Sequence, residues 1–301
     1  MKRREFLKNT VLTGMALTFS QCRSSSSSHV CSFGLITDVH YADRDPKLEW
    51  NRYYRRALAK FKQAISFFNS KQPSFVVCLG DIKDEKKNPS KQTTLHFLER
   101  IESAFAAFKG KRYHALGNHD LDSISKEEFL SRVVNSGISK EKSYYSFDEC
   151  GVHYVVLDTC FKSNGIPYDA GNFEWFDAYI PSEELEWLKK DLTKTSLPVI
   201  VFTHHPLDDF NLPDKRISIT NAYQVRKILE ESSKVMAVFQ GHHHDGNYCL
   251  HNNIHYYTMK SVVDGTEENN YALIEINLEK NKILINGYGN TSSLDLKIKS
   301  K

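Results

Sequence analysis

"FGLITDVHYAD", residues 33–43, is an apolar run that stops at Asp38-Val39-His40. Read as a buried strand over 33–37, it delivers a carboxylate and an imidazole just past its carboxyl end. The same grammar recurs along the chain. "FVVCL" (75–79) runs into Gly80-Asp81, and a strand near 112–116 runs into Gly117-Asn118-His119-Asp120. Strands near 198–203 and 234–239 lead to His204-His205-Pro206 and to Gly241-His242-His243-His244. Helical patterns fill the gaps at 47–69, 91–108, 182–195 and 221–232; the first carries Leu58, Phe61, Ile65 and Phe68 at 3-4-3 spacing. A further strand at 152–157 and a closing hairpin at 271–288 complete the pattern, while 121–145 and 161–180 read as loops or short helices near a site. Strands alternating with helices make an α/β layer structure, in which ligands bind beyond the carboxyl ends of the strands. A lone Asp-x-His or Gly-Asp is ordinarily a turn or a cap. Five such ends in order, each behind an apolar strand, point to one polar rim.

Composition narrows the class. Of 301 residues 40% are hydrophobic, which fits a packed body and excludes disorder. The first residues, "MKRREFLKNTVLTGMALTFSQC", combine Arg3-Arg4 and Phe6-Leu7-Lys8 with an apolar stretch from Val11 to Phe19 too short to span a bilayer. That order predicts a twin-arginine export signal over 1–21. Cys22, with Ser24 to Ser28 behind it, makes 22–30 a candidate lipid anchor and tether, and 31–301 reads as a single domain. The expectation is therefore an exported protein, periplasmic or held at a membrane only as a lipoprotein. Without 1–21 the chain loses four Lys/Arg and one Asp/Glu from 40 and 37, leaving 36 of each sign. A neutral body lacks the basic footprint of a nucleic-acid binder, so no nucleic-acid partner is expected. Cys150 and Cys160 flank one extended strand and lie roughly 30 Å apart, beyond bridging distance, and no disulfide framework is expected.

The ordered set D-x-H, G-D, G-N-H-[DE], H and G-H-x-H resembles the calcineurin-like metallophosphoesterases over nearly all of residues 33 to 290. The resemblance implies a four-layer αββα sandwich, two mixed sheets flanked by helices, holding two divalent metal ions. Carried over position by position, it implies Asp38, His40 and His244 at one metal, Asn118, His204 and His242 at the other, and Asp81 bridging both. The chemistry is consistent: two neighbouring cations need an anionic bridge, and mixed imidazole and carboxylate ligands suit manganese, iron or zinc. A hydroxide on the metals is then the nucleophile, and no Ser or Cys nucleophile is required. His119 is left to protonate the leaving oxygen, with Asp120 or another nearby carboxylate orienting it. If the chain stays extended past Gly241, His242 and His244 share a face and His243 is a bystander.

"NRYYRRAL" (51–58), "LGDIKD" (79–84) and "GHHHDGNY" (241–248) resemble more narrowly the manganese-dependent ADP-ribose/CDP-alcohol diphosphatases. By that resemblance Arg52 lies at the substrate phosphates and Tyr248 at the pocket edge; by the bland reading Arg52 opens a solvated helix face and Tyr248 is core. Vertebrate members carry Gln at the position of His40, and members are intracellular, both departures from this chain. The expected activity is hydrolysis of a phosphodiester or diphosphate bond in a small nucleoside-diphosphate or phosphate-ester substrate. A broad phosphomonoesterase or a cyclic-nucleotide phosphodiesterase is the alternative, and an inactive binding lipoprotein the remote one.

Overall fold

The computed structural model describes residues 30–299; the expected signal and the segment carrying Cys22 lie outside them. Twelve strands form two six-stranded sheets. In the first, β1 (Cys31–Ile36), β2 (Phe75–Cys78) and β3 (Lys111–His114) run parallel. Antiparallel β10 (Tyr271–Asn277), β11 (Lys282–Tyr288) and β12 (Leu294–Lys297) extend that sheet from β1 outward. In the second, β5 (Val152–Val156), β6 (Val199–Phe202), β7 (Val235–Gln240) and β9 (Ile254–Thr258) are parallel. Antiparallel β4 (Tyr145–Glu149) and β8 (Asn247–His251) close its two edges.

Helices cover both outer faces. The apolar stripe of α1 (Tyr54–Lys71), with Ala57, Phe61, Ile65 and Phe68 buried, packs with α2 (Lys91–Phe105) and the short α3 (Lys126–Arg132) on the first sheet. On the second sheet, α4 (Ser182–Lys194) and α5 (Ala222–Ser232) seat Leu188, Leu192, Val225 and Leu229. Between the sheets Phe33 stacks on Phe75 at 5.0 Å and meets Tyr154, Phe202 and Phe239 edge-on. These layers are the expected αββα sandwich of two mixed sheets. Parallel neighbours are what place several carboxyl ends on one rim.

Four strands escaped the sequence reading: β4, β8, β9 and β12. Three of them are edges with one wet face, so they lack the unbroken apolar run that marks a central parallel strand. The helix expected over 47–69 begins only at Tyr54, because Asn51 has φ 56° and the stretch before it is a short 3₁₀ turn over Leu48–Trp50. Arg52 is therefore not the first turn of a helix but a bridge residue paired with Asp264. Among the described residues Cys31, Cys78, Cys150, Cys160 and Cys249 are free thiols.

Phe33→Ala would empty the centre of the aromatic cluster joining the two sheets. Urea unfolding should show a loss of about 3–5 kcal/mol; a loss under about 1 kcal/mol would mean that the sheets are not held together there.

Candidate metal centre

Each parallel strand ends short of the residue that matters, and the chain then bends sharply. Asp38, His40, Asp81 and His242 have φ of 50°, 46°, 51° and 65°. Left-handed geometry at non-glycine residues costs of order 1–3 kcal/mol each and persists where the surroundings enforce it. Two glycines make room. A Cβ on Gly117 would lie 2.2 Å from Asp81 Oδ1, and one on Gly241 would lie 2.8 Å from Asp38 Oδ2.

The result is a buried nest of acceptors facing one another. Asp81 Oδ2 lies 3.4 Å from His40 Nε2 and 3.3 Å from His204 Nε2. Asp38 Oδ1 lies 3.6 Å from His40 Nε2 and 3.5 Å from His244 Nε2. The outward nitrogens are already committed. His204 Nδ1 is 2.7 Å from the Leu79 carbonyl, which can only accept, so that nitrogen donates. His40 Nδ1 is 3.2 Å from Asp84, and His244 Nδ1 is 3.2 Å from Asp264. In each neutral ring the Nε2 lone pair then points inward. Asp38 Oδ1, His40 Nε2, Asn118 Oδ1 and His204 Nε2 are buried with no hydrogen-bond partner. Lone pairs without donors at such spacings are what cations satisfy, and the donor set fits divalent metals. Ligating groups from Asp38, His40 and His244, and from Asp38, Asp81 and His204, lie within 4.8 Å of one another.

The electrostatics agree. Burial works against charge on Asp38 and Asp81, yet the imidazoles around them outweigh it and hold both well below the usual carboxylate range. Burial, then His204, pushes His242 down to about 3, leaving a neutral ring. On His204 burial is outweighed by Asp81, which lifts it to about 9; a proton and a metal compete there for one lone pair.

His119 projects into the cleft from the turn after β3. Its Nδ1 lies 3.9 Å from both Asp84 and Asp122. Burial opposes its charge, but Asp84, Asp122 and Asp81 together raise it to about 9. Asp120 does not reach the ring. Its carboxylate accepts from the backbone N–H groups of Gly117 (2.9 Å), Asp81 (3.0 Å) and Ile82 (2.9 Å), tying two strand ends together. The carboxylates of Asp84 and Asp122 lie nearer the ring, and buried Lys83 anchors the same turn through the His119 carbonyl at 2.6 Å.

The histidine triplet does not continue the strand. β7 ends at Gln240, and His243 N donates to the Gly241 carbonyl at 2.7 Å across His242, a positive-φ γ-turn instead of an extended strand. His242 and His244 still face the cluster, while His243 lines the outer cleft. That cleft, about 720 Å³, is walled by Lys47, Trp50, Arg52, Phe173 and Trp175 beside the cluster. Tyr248 is not on its wall: it sits on edge strand β8 with its hydroxyl 3.0 Å from His255 Nδ1. Sequence reasoning missed Asp264 altogether, because it follows no apolar strand and carries no motif.

Residues 31–246 match the family model for calcineurin-like phosphoesterases. A manganese-dependent ADP-ribose/CDP-alcohol diphosphatase of Oryza sativa subsp. japonica is 26% identical over 289 residues, covering 83% of this chain and 89% of its own. One of the same description from Xenopus laevis is 24% identical over 315 residues, covering 86% and 88%. A solved dimetal phosphatase from Danio rerio superposes with TM-score 0.78 at 21% identity, covering 89% of this chain and 99% of that one. These relatives correct the expectation of export. They are eukaryotic enzymes, whereas twin-arginine and lipoprotein signals are bacterial addresses.

Gly117→Ala tests the nest directly. The added methyl must displace the Asp81 carboxylate, so bound divalent metal measured by atomic emission should fall at least about tenfold in affinity. Unchanged metal content would show that Asp81 is not held by this close approach.

Proposed function

The chain belongs to the calcineurin-like phosphoesterase family of metal-dependent hydrolases, and we propose that it cleaves the diphosphate bond of a nucleoside-diphosphate-linked small molecule of the ADP-ribose or CDP-alcohol kind. The carrying observation is the cationic and aromatic wall next to the nest. The Arg52 guanidinium lies 5.0 Å and the Lys47 ammonium 4.6 Å from the Trp50 ring centroid, on the same cleft as His119 and His244. Burial, then the Arg44 guanidinium, lowers the Lys47 ammonium, with Arg52 adding to the effect: cations are crowded there. A diphosphate brings a second phosphate outside the metal nest, and a guanidinium offers that charge two donors in a fixed fork. Trp50, Phe173 and Trp175 supply flat apolar surface for a base or ring. The names of the relatives support the same substrate class.

In this reading Asp38, His40 and His244 would hold one cation, Asn118, His204 and His242 the other, and Asp81 would be shared between them. Two bound manganese ions would neutralise the phosphoryl oxygens and acidify the attacking water. Asp84 and Asp264 hold the rings of His40 and His244 in the tautomer that offers Nε2. His119 stands over the phosphoryl group and gives its proton to the leaving oxygen. Asp84 and Asp122 keep the ring in place, and Lys83 keeps its turn in place.

Activity should vanish on exhaustive chelation and return with Mn²⁺. His119→Ala should keep its metal while turnover falls by ~10²–10⁴-fold, less for a nitrophenolate leaving group that needs no proton. Loss of a metal ion in that variant would make His119 a ligand. Arg52→Ala should lower kcat/KM on ADP-ribose or a CDP-alcohol by roughly 10- to 150-fold and on a small aryl monoester far less. Equal losses on both, or a wild type that prefers the monoester, would replace the diphosphatase reading with that of a broad phosphomonoesterase.

A further inference from the structure

At the opposite end of the sandwich from the metal nest, two thiols from different sheets meet over one hydroxyl. Cys31 begins β1 in the first sheet, and Cys150 sits in the turn between β4 and β5 in the second. Cys31 Sγ lies 4.0 Å and Cys150 Sγ 3.4 Å from Ser74 Oγ. The two thiols also act on each other: burial, with a contribution from Cys150, pushes Cys31 up to about 12. Their surroundings differ in a useful way. Cys31 is 2% exposed and packed against the Tyr154 hydroxyl at 3.5 Å, whereas Cys150 is open to solvent.

The turn itself asks for an explanation. Glu149 pairs with Val152, leaving Cys150 (φ 50°) and Gly151 (φ 76°) as a two-residue loop with both φ positive. Such loops favour Asn-Gly or Asp-Gly, and a cysteine in the first position bears the left-handed strain without the asparagine's local hydrogen bond. The turn is tied down by its flanking strand pair, so it presents the thiol toward the other sheet.

We propose that Cys31 and Cys150 are a disulfide-forming pair that links the two sheets when a small disulfide oxidant, such as oxidised glutathione, is present. The exposed Cys150 thiolate attacks the oxidant, forming a mixed disulfide and releasing one glutathione thiolate. Cys31 then gives its proton to solvent and attacks Cys150 Sγ, the second glutathione leaves, and two protein thiols have been oxidised as one disulfide was reduced. The link closes a loop of more than a hundred residues and constrains the unfolded chain strongly. It joins the amino-terminal ends of the parallel strands, so it leaves the metal nest at their carboxyl ends untouched.

The test incubates the full metal-loaded chain with oxidised glutathione, alkylates the remaining thiols and maps peptides by mass spectrometry, with Tm read on the same samples. The expected result is a Cys31–Cys150 linked peptide, a Tm higher by roughly 5–10 °C and reversible with dithiothreitol, and unchanged metal content. Cys150→Asn, which puts the turn's favoured residue in place, should fold as well as the reduced parent and show neither link nor Tm response. A stable glutathione adduct on Cys150 with Cys31 still open to alkylation would overturn the proposal, as would the same Tm response in Cys150→Asn.

Discussion

The shape of this molecule's working end follows from one constraint: a carboxylate oxygen, Asp81 Oδ2, lies between two imidazole nitrogens at 3.4 and 3.3 Å, both of them buried without a hydrogen-bond partner. Lone pairs turned toward one another repel, and a dry interior magnifies the cost. The chain nevertheless enforces the arrangement from every side. Backbone amides fix the far oxygens, with His119 N at 2.8 Å from Asp81 Oδ1 and His242 N at 3.0 Å from Asp38 Oδ2. The strained φ angles at Asp38, His40, Asp81 and His242 belong to the same enforcement. Positive charge in the nest offsets all of these costs at once.

Packing supplies the rigidity. The aromatic cluster between the sheets and the helices outside them hold the parallel strands in register, so strand ends from both sheets reach one rim. Asp120 is the joint: by accepting three backbone N–H bonds it locks the turn after β2 to the turn after β3. A buried carboxylate used in this way is a structural part, and its removal would misplace Asp81 and His119 together.

How much of this the sequence disclosed depends on the local signal. The ends at Asp38, Asp81, His204 and His242 were readable because each follows an apolar central strand, the plainest pattern a sequence carries; Asn118 follows β3, an edge strand reading KRYH, and the assignment of seven proposed ligands came from the family resemblance. The α/β alternation was readable from the same apolar runs, whereas the division into two mixed sheets came from the family resemblance. Edge strands β4, β8 and β12 were not, since one wet face breaks the run, and Tyr248 was misplaced with β8. Asp264 and Asp122 reach the site from irregular segments, where only the fold brings them near. The strand alternation expected through the triplet does not occur: a γ-turn aims His242. Arg52 was placed on a helix face because periodicity cannot see that Asn51 turns left-handed; its position on the cleft wall survives that change.

The central proposal is that Asp81 would be shared by two divalent ions. Electron paramagnetic resonance of the metal-free chain titrated with Mn²⁺ reads this most directly. The account predicts saturation at two ions per chain with the spectrum of an exchange-coupled pair, and Asp81→Asn abolishing the coupling. Saturation at one ion, or two ions with uncoupled spectra in the parent chain, would contradict it.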